Sequence, residues 1–484
     1  MVSEEMPNSI KNQSLSGFKW NAIGRFIPYA VQFIIGLVIV RLLEPEDYGV
    51  IGMLSIFMAI SQSFVDSGFG NALIRKIDRT EVDCSTAFYF NIAVAVLIYV
   101  ILFFSAPYIA AFYNMPILSE VTRVLSLMIV VNSMSIVPRA LRSIAVDFKS
   151  QAYSSIISVI VSGSLGLCLA YTGYGVWALV WQSIIGSVVN VTVLWLLARW
   201  KPLWLFSWQS FKSMFSYGSK LMVSGLMNTV YNHASSLIIG KFYTPAELGY
   251  YDRGNQIASM PSLKLSSVFH GVTFPILAKL QDDNERLINV YQKYLAITSL
   301  LIFFLMTLLA VIAKPLILIL LTEKWMGVVP FLQVFCLAFM FDTVCKLNNN
   351  LLYVKGWSGL FLKLEIIKKV IVIPVLVMAI PFGVMALCCV ALVHTLVDIT
   401  CSTFYIKKLL DVELHRYVVL AKYFLTSVLA CTPTFLLCNI DVSPWLTLSV
   451  GVVMATSLYG CLLHRDVYMK ECVQALLKMI AVKR

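Results

Sequence analysis

Lys264 occupies the position in this sequence that most needs a chemical explanation. It stands 14 residues after Tyr250 and 11 before Pro275 in a largely apolar stretch, about 21 and 16 Å from the two ends if the stretch is helical. A charge that deep in hydrocarbon costs about 2.5–3.5 kcal/mol on insertion scales, and the side chain is too short to snorkel out. The spacing therefore predicts a cation lining a polar cavity, with Arg253, Gln256 and Ser267 continuing the same face. Lys220, Ser224, Asn228, Asn232 and Ser235 form a second stripe, spaced four, four, four and three, one side of an otherwise apolar helix. His233 is adjacent to that stripe but off it. Asn21, Arg25, Tyr29 and Gln32 make a third stripe. Hydrogen bonding between packed helices is a competing explanation of these stripes, and Arg25 is also within snorkelling reach of its helix end.

The four cations Arg25, Lys220, Arg253 and Lys264 together would favour an anion. His394 and Asp398 lie four apart and share a helix face, an arrangement that can relay protons and couple to a proton or sodium gradient. A pair satisfied by its neighbours is the competing reading. Asp66 beside Arg75 reads as a local ion pair or cap. The five His are scattered, none at metal-ligand spacing, and no Ser, His, Asp grouping is readable. The sequence thus predicts no catalytic residue, metal site or cofactor.

Such residues need elements to hold them. The chain has 484 residues, 59% hydrophobic and 13% charged, with a mean hydropathy of +0.83, far beyond the soluble norm of about half apolar. Apolar runs of the length that spans a bilayer, roughly 20 residues, number fourteen, from Trp20–Val40 to Trp445–Leu463. The expected fold is an all-α polytopic membrane protein with little chain left for a soluble domain. Met1 to Gly17 is polar and includes Glu4 and Glu5, unlike a cleaved signal, so the first apolar run is expected to be retained. Eleven Cys, an odd number without a CxxC pair, argue against a disulfide scaffold. Cys168, Cys336, Cys388, Cys389, Cys431 and Cys461 fall in apolar runs and are expected to be buried thiols.

The net charge of +12 suggests nucleic acid, membrane or an anionic ligand. The cations sit between apolar runs, which disfavours nucleic acid. They cluster at every second connection, for example Arg75, Lys76 and Arg79, then Arg139, Arg142 and Lys149, and later Lys363, Lys368 and Lys369. Short cytoplasmic loops accumulate such residues, so both termini are predicted to be cytoplasmic and the charge mostly reports topology.

The chain also repeats itself. Arg41-Leu-Leu-Glu-Pro-Glu-Asp-Tyr-Gly49 returns 200 residues later as Lys241-Phe-Tyr-Thr-Pro-Ala-Glu-Leu-Gly249, and Gly173-Tyr-Gly-Val-Trp-Ala-Leu179 returns after 208 as Pro381-Phe-Gly-Val-Met-Ala-Leu387. An offset covering six helices gives halves of like orientation. The expected organisation is a lobe of six helices over 1–205, a second over 206–413, and two further helices with a tail over 414–484. Pro45 and Pro245 followed by Gly49 and Gly249 are explained structurally by tight hairpins.

Arg41 to Gly49 resembles the R-L-L-x-P-E-D-[FY]-G signature of the O-antigen and capsular polysaccharide flippases, within the multidrug/oligosaccharidyl-lipid/polysaccharide exporter superfamily. Phe64 to Arg75, carrying Asp66, Gly68 and Gly70, is similar to that family's D-x-G-x-G-x-A-L-I-R stretch, and Phe274 to Asp283 to its F-P-x-L-x-x-x-Q-D-D stretch. The resemblance implies two lobes around a central cavity, alternating access, and a lipid-linked oligosaccharide carried across a bacterial inner membrane, with membrane lipid and possible pathway proteins such as a polysaccharide polymerase as partners. A polyprenyl pyrophosphate would suit the four cations and the polar Gln32, Asn228 and Asn232. An organic-cation exporter of the same superfamily would want an acidic cavity. A membrane-embedded polysaccharide-synthesis enzyme would want large external loops or clustered catalytic residues, and the sequence offers neither.

Overall fold

A computed structural model describes residues 27–481 together with residue 24, apart from 67, 199, 411–416 and 441–442. Arg25, Asn21 and both extreme termini lie outside the described residues. The described chain is helical almost throughout. α1 (Ile27–Leu42) leads through a short turn into α2 (Pro45–Asp66). Gly68, left-handed at φ 72°, separates α2 from α3 (Phe69–Arg75). Thr80 and Asp83 form a capping box that starts α4 (Glu81–Tyr113), each side chain satisfying the other's backbone N–H. α5 (Ile117–Leu125), α6 (Leu127–Ser133) and α7 (Ile136–Ile144) make one interrupted run. Asp147 caps α8 (Phe148–Tyr171), followed by α9 (Val176–Ala198). Ser207 caps the long α10 (Trp208–Phe242), which turns into α11 (Pro245–Ala278).

Asp283 caps α12 (Asn284–Val311), and α13 (Ala313–Leu320), α14 (Val328–Val354), α15 (Ser358–Ala379) and α16 (Val384–Leu410) follow. α17 (Val418–Cys438), α18 (Pro444–Leu462) and α19 (Val467–Ala481) end the described chain. Ten runs are long and apolar enough to cross a membrane. α1 is shorter, and α10, α11 and α15 carry too many polar residues to qualify by composition. Those four are nonetheless helical at the expected positions, so the structure is compatible with fourteen spans. The protein is a multi-pass membrane protein.

The chain divides into two compact units at the Gly249–Tyr250 boundary, just inside α11. In the first, α2 runs antiparallel along α10, and α8 packs on α9. Gly163 and Gly186 permit close packing, their missing Cβ positions already approached by Ile35 and Ser162. Phe69, Phe88, Phe211, Trp195 and Trp200 form an aromatic core at one end. In the second unit α14 packs between α12 and α16, and α17 between α12 and α18, around Tyr291, Phe303, Trp325, Phe335 and Tyr423. The repeat is visible in the backbone: Gly175 (φ 55°) and Gly383 (φ 94°), both left-handed, immediately precede α9 and α16.

The cysteines depart in part from expectation. All are free, and Cys336, Cys388 and Cys431 are buried, but Cys168, Cys389 and Cys461 are exposed. In a bilayer the outward face of a helix is as apolar as the inward one, so an apolar run does not separate the two.

Candidate functional site

The predicted stripes lie on polar faces of the two long helices. On α10, Ser224, Asn228 and Asn232 are exposed. The neighbouring residues bind α2 instead: His233 Nδ1 lies 3.2 Å from Ser55 Oγ, and Thr229 Oγ1 lies 3.1 Å from Ser63 Oγ. His233, off the stripe in sequence, thus belongs to the packed seam. Lys220 sits on α10 one helical turn before Ser224; its side chain lies outside the described residues.

α11 shows two polar faces with different tasks. One is buried: Ser262 Oγ donates to the carbonyl of Phe339 at 3.1 Å and, with Ser266, meets Thr343 of α14 at 3.0 and 3.2 Å. The other carries the predicted cations. Arg253 donates to Gln256 Oε1 at 2.6 Å and lies 6.0 Å from the centre of the Trp325 ring, a cation–π placement. Lys264 is exposed further along, where Ser267 Oγ donates to its backbone carbonyl at 2.8 Å. Arg253, Gln256, Lys264 and Ser267 therefore share one half of α11, and the serines that fix the helix to α14 share the other.

His394 and Asp398 lie beside a charge that the sequence had placed in a loop. Lys368 is buried 10 residues into α15, with its side chain 3% exposed. Its ammonium is 3.1 Å from Asp398 Oδ2 and also pairs with Glu365. Asp398 is itself 9% exposed, and its Oδ1 has no hydrogen-bond partner among the described residues. The legible signal was that Lys368 falls inside the apolar run Leu360–Ile380 rather than outside it. Nearby on α14, Asp342 and Lys346 pair at 2.5 Å. Asn348 donates to Ser402 at 2.9 Å and accepts from the Tyr291 hydroxyl at 2.5 Å.

Asp66 and Arg75 do not form the expected pair. Asp66 accepts from Gln62 at 2.8 Å, and the Arg75 guanidinium rests 4.7 Å from the centre of the Tyr217 ring. The left-handed Gly68 between them ends one helix and starts another, so the two side chains do not share a helix face. Gln32 lines a polar cavity within the first unit, together with Asn132, Arg139, Gln182 and Asn190.

Two repeated helix pairs, polar faces on α10 and α11, and charges inside an apolar bundle describe a transporter-like frame, and the sequence itself decides the family. Residues 38–330 match the polysaccharide biosynthesis protein family. The chain belongs to that family. Among its members' relatives, the chain is 24% identical over 376 residues to the lipopolysaccharide biosynthesis protein WzxC of Escherichia coli (strain K12), covering 76% of this chain and 75% of WzxC. It is 26% identical over 362 residues to the teichuronic acid biosynthesis protein TuaB of Bacillus subtilis (strain 168), covering 73% of each. The fold is similar to that of the lipid II flippase MurJ in an inward closed conformation, with a TM-score of 0.72 at 13% identity over 94% of this chain and 99% of that one. The part of this family member that matches begins within α1 and reaches into α14, so it includes both copies of the Pro–Gly hairpin.

Proposed function

We propose that this protein moves lipid-linked oligosaccharide units across a bacterial inner membrane for surface polysaccharide synthesis, by transport rather than bond chemistry. The observation that carries the reading is the polar half of α11, where the half-buried Arg253 and the exposed Lys264 stand on a helix whose other half is fixed to α14. A cation at mid-span needs a polar surround, and a pyrophosphate accepts charge-assisted hydrogen bonds from Lys and Arg. Arg25, Lys220, Asn228 and Asn232 extend the same chemistry. The fold similarity to a lipid flippase and the relatives named for lipopolysaccharide and teichuronic acid biosynthesis support the same reading.

The head group enters the polar cavity while the lipid tail stays in the bilayer, and rearrangement of the helices exposes it on the other side. Both termini face the cytoplasm in this scheme, and a polysaccharide polymerase receives the product. His394 and Asp398, with Lys368 beside them, are assigned to coupling with a proton or sodium gradient. The test is export by Lys264→Ala in correctly inserted protein: surface polysaccharide is lost and lipid-linked units accumulate on the cytoplasmic side. Normal flux in that variant removes Lys264 from the mechanism, and flux indifferent to both gradients removes the coupling role.

A further inference from the structure

The cavity inside the first unit has a chemistry of its own. α1, α6, α7, α8 and α9 line a partly open cavity of about 360 Å³, at the small end of the usual range for ligand pockets, about 300–1,000 Å³. Gln32, Asn132, Gln182 and Asn190 present four side-chain amides to it, and none of the four makes a hydrogen bond to another described residue through its side chain. Each amide carries two donors and a carbonyl acceptor. Gln32 is exposed and the other three are half-buried, so all four present accessible donors and acceptors to a polar ligand in that space. Among the described residues that line the cavity, Arg139 carries the charge and none is a carboxylate. Asp66, the acid that feels the Arg139 charge, is on α2 and bonds Gln62.

Both the amides and the lining serines of α8 and α9 can donate and accept, which matches the hydroxyls of a sugar ring. A cation would meet Arg139 with no carboxylate among the described lining residues, the nearby Asp66 being bonded to Gln62 on α2. The wall is pre-formed, since Ser158 Oγ donates to the carbonyl of Gly186 at 2.6 Å and holds α8 against α9. The cavity lies near mid-span, Ser158 being 10 residues into α8.

We infer that this cavity is a saccharide subsite, in which Gln32, Asn132, Gln182 and Asn190 read hydroxyls and Arg139 pairs with an anionic substituent on the sugar. The inference rests on the flippase reading for its biological setting, and its chemistry is tested apart from transport. The full chain in lipid nanodiscs would be titrated with three probes: a glucuronic-acid-containing disaccharide, the corresponding neutral disaccharide, and farnesyl pyrophosphate as an anionic lipid without sugar. The acidic disaccharide should bind more tightly than the neutral one. Gln182→Leu or Asn190→Leu should weaken both sugars about tenfold, as expected for losing a good hydrogen bond. Arg139→Gln, at an exposed position and so tolerated by the fold, should erase the preference for the acidic sugar. None of the three should alter farnesyl pyrophosphate binding.

Sugar binding that is absent from the wild type, or unchanged in Arg139→Gln and Asn190→Leu, overturns the subsite and leaves a water-filled space. Farnesyl pyrophosphate binding that falls with the same variants assigns the site to the lipid phosphate and overturns the sugar reading. Translocation of lipid-linked oligosaccharide by the wild type in liposomes is scored separately. Its failure sinks the flippase reading without touching the binding result.

Discussion

Gly49 and Gly249, 200 residues apart, each back onto the proline that opens the other's helix. A Cβ on Gly49 would strike the carbonyl oxygen of Pro245, and one on Gly249 would strike that of Pro45. The repeated hairpin is therefore more than a turn signal, because its two copies meet and each glycine makes room for the other copy's backbone. Gly240 does similar service beside Met53 and Tyr113, and Gly68 beside Gly218.

Gly49→Ala and Gly249→Ala should each destabilise the protein, by about 1–3 kcal/mol, since a backbone carbonyl cannot rotate away as a side chain can. Thermal unfolding in detergent reads the loss. The double variant should cost less than the sum, because the two sites share partners and the first substitution already forces the strands of chain apart. A melting temperature unchanged in Gly49→Ala would show that the approach is looser than described.

Lys368→Met should be costly, about 3–5 kcal/mol, because it leaves Asp398 and Glu365 without their shared cation in the interior. Pairing it with Asp398→Leu should restore part of the loss. Stability of the single and double variants, measured side by side, checks this. A single variant as stable as the parent would mean that the carboxylates have other compensation.

Tyr291→Phe should cost about 1–3 kcal/mol by leaving the fully buried Asn348 Oδ1 without its donor. Tyr417, whose hydroxyl lies 3.1 Å from that of Tyr291, loses its link in the same step. The measurement is again thermal unfolding, and Asn348→Leu in the Tyr291→Phe background should recover part of the loss by removing the orphaned carbonyl, at the cost of the amide's bond to Ser402.

Asp466, between α18 and α19, gives a pH dependence with a definite sign. Burial alone would push its carboxyl up, but Lys422, the Met469 N–H and the Tyr423 hydroxyl outweigh it and hold the carboxyl below the ordinary range. Its contribution to stability is therefore present above the unfolded value of about 3.9 and is lost as pH falls through the lower folded value. Melting temperature followed from pH 6 to pH 3 should drop, and the drop should be shallower in Asp466→Asn. Equal slopes in the two proteins would remove Asp466 as a contributor.

The helices were legible because each is written as a run of apolar residues about as long as a bilayer is thick, and the repeat because its two hairpins keep their proline and glycine. The polar faces of α10 and α11 were legible from spacing alone. What escaped were features assembled from single residues on separate helices. Gln32, Asn132, Gln182 and Asn190 come from three helices, α1, α6 and α9, and only Gln32 was singled out; the one periodic run, Gln182, Gly186 and Asn190 at spacings of four on α9, carries just two of the amides. Lys368 and Arg139 were both counted with loop cations, although Lys368 lies mid-helix in α15 and Arg139 on α7. The interrupted run of α5 to α7 reads as one helix, since nothing in its composition announces the breaks at Ser126 and Met134.

The seam between α2 and α10 has a consequence for how the chain is made. Ser55 and His233, which meet there, are 178 residues apart. At about 5–20 residues per second, α2 waits roughly ten to forty seconds for its partner to leave the ribosome. Through that interval its serines and glycines face lipid or the insertion machinery, so the nascent chain is most vulnerable to proteolysis before α10 is delivered, and slower translation across α3 to α9 should lower the yield of intact protein.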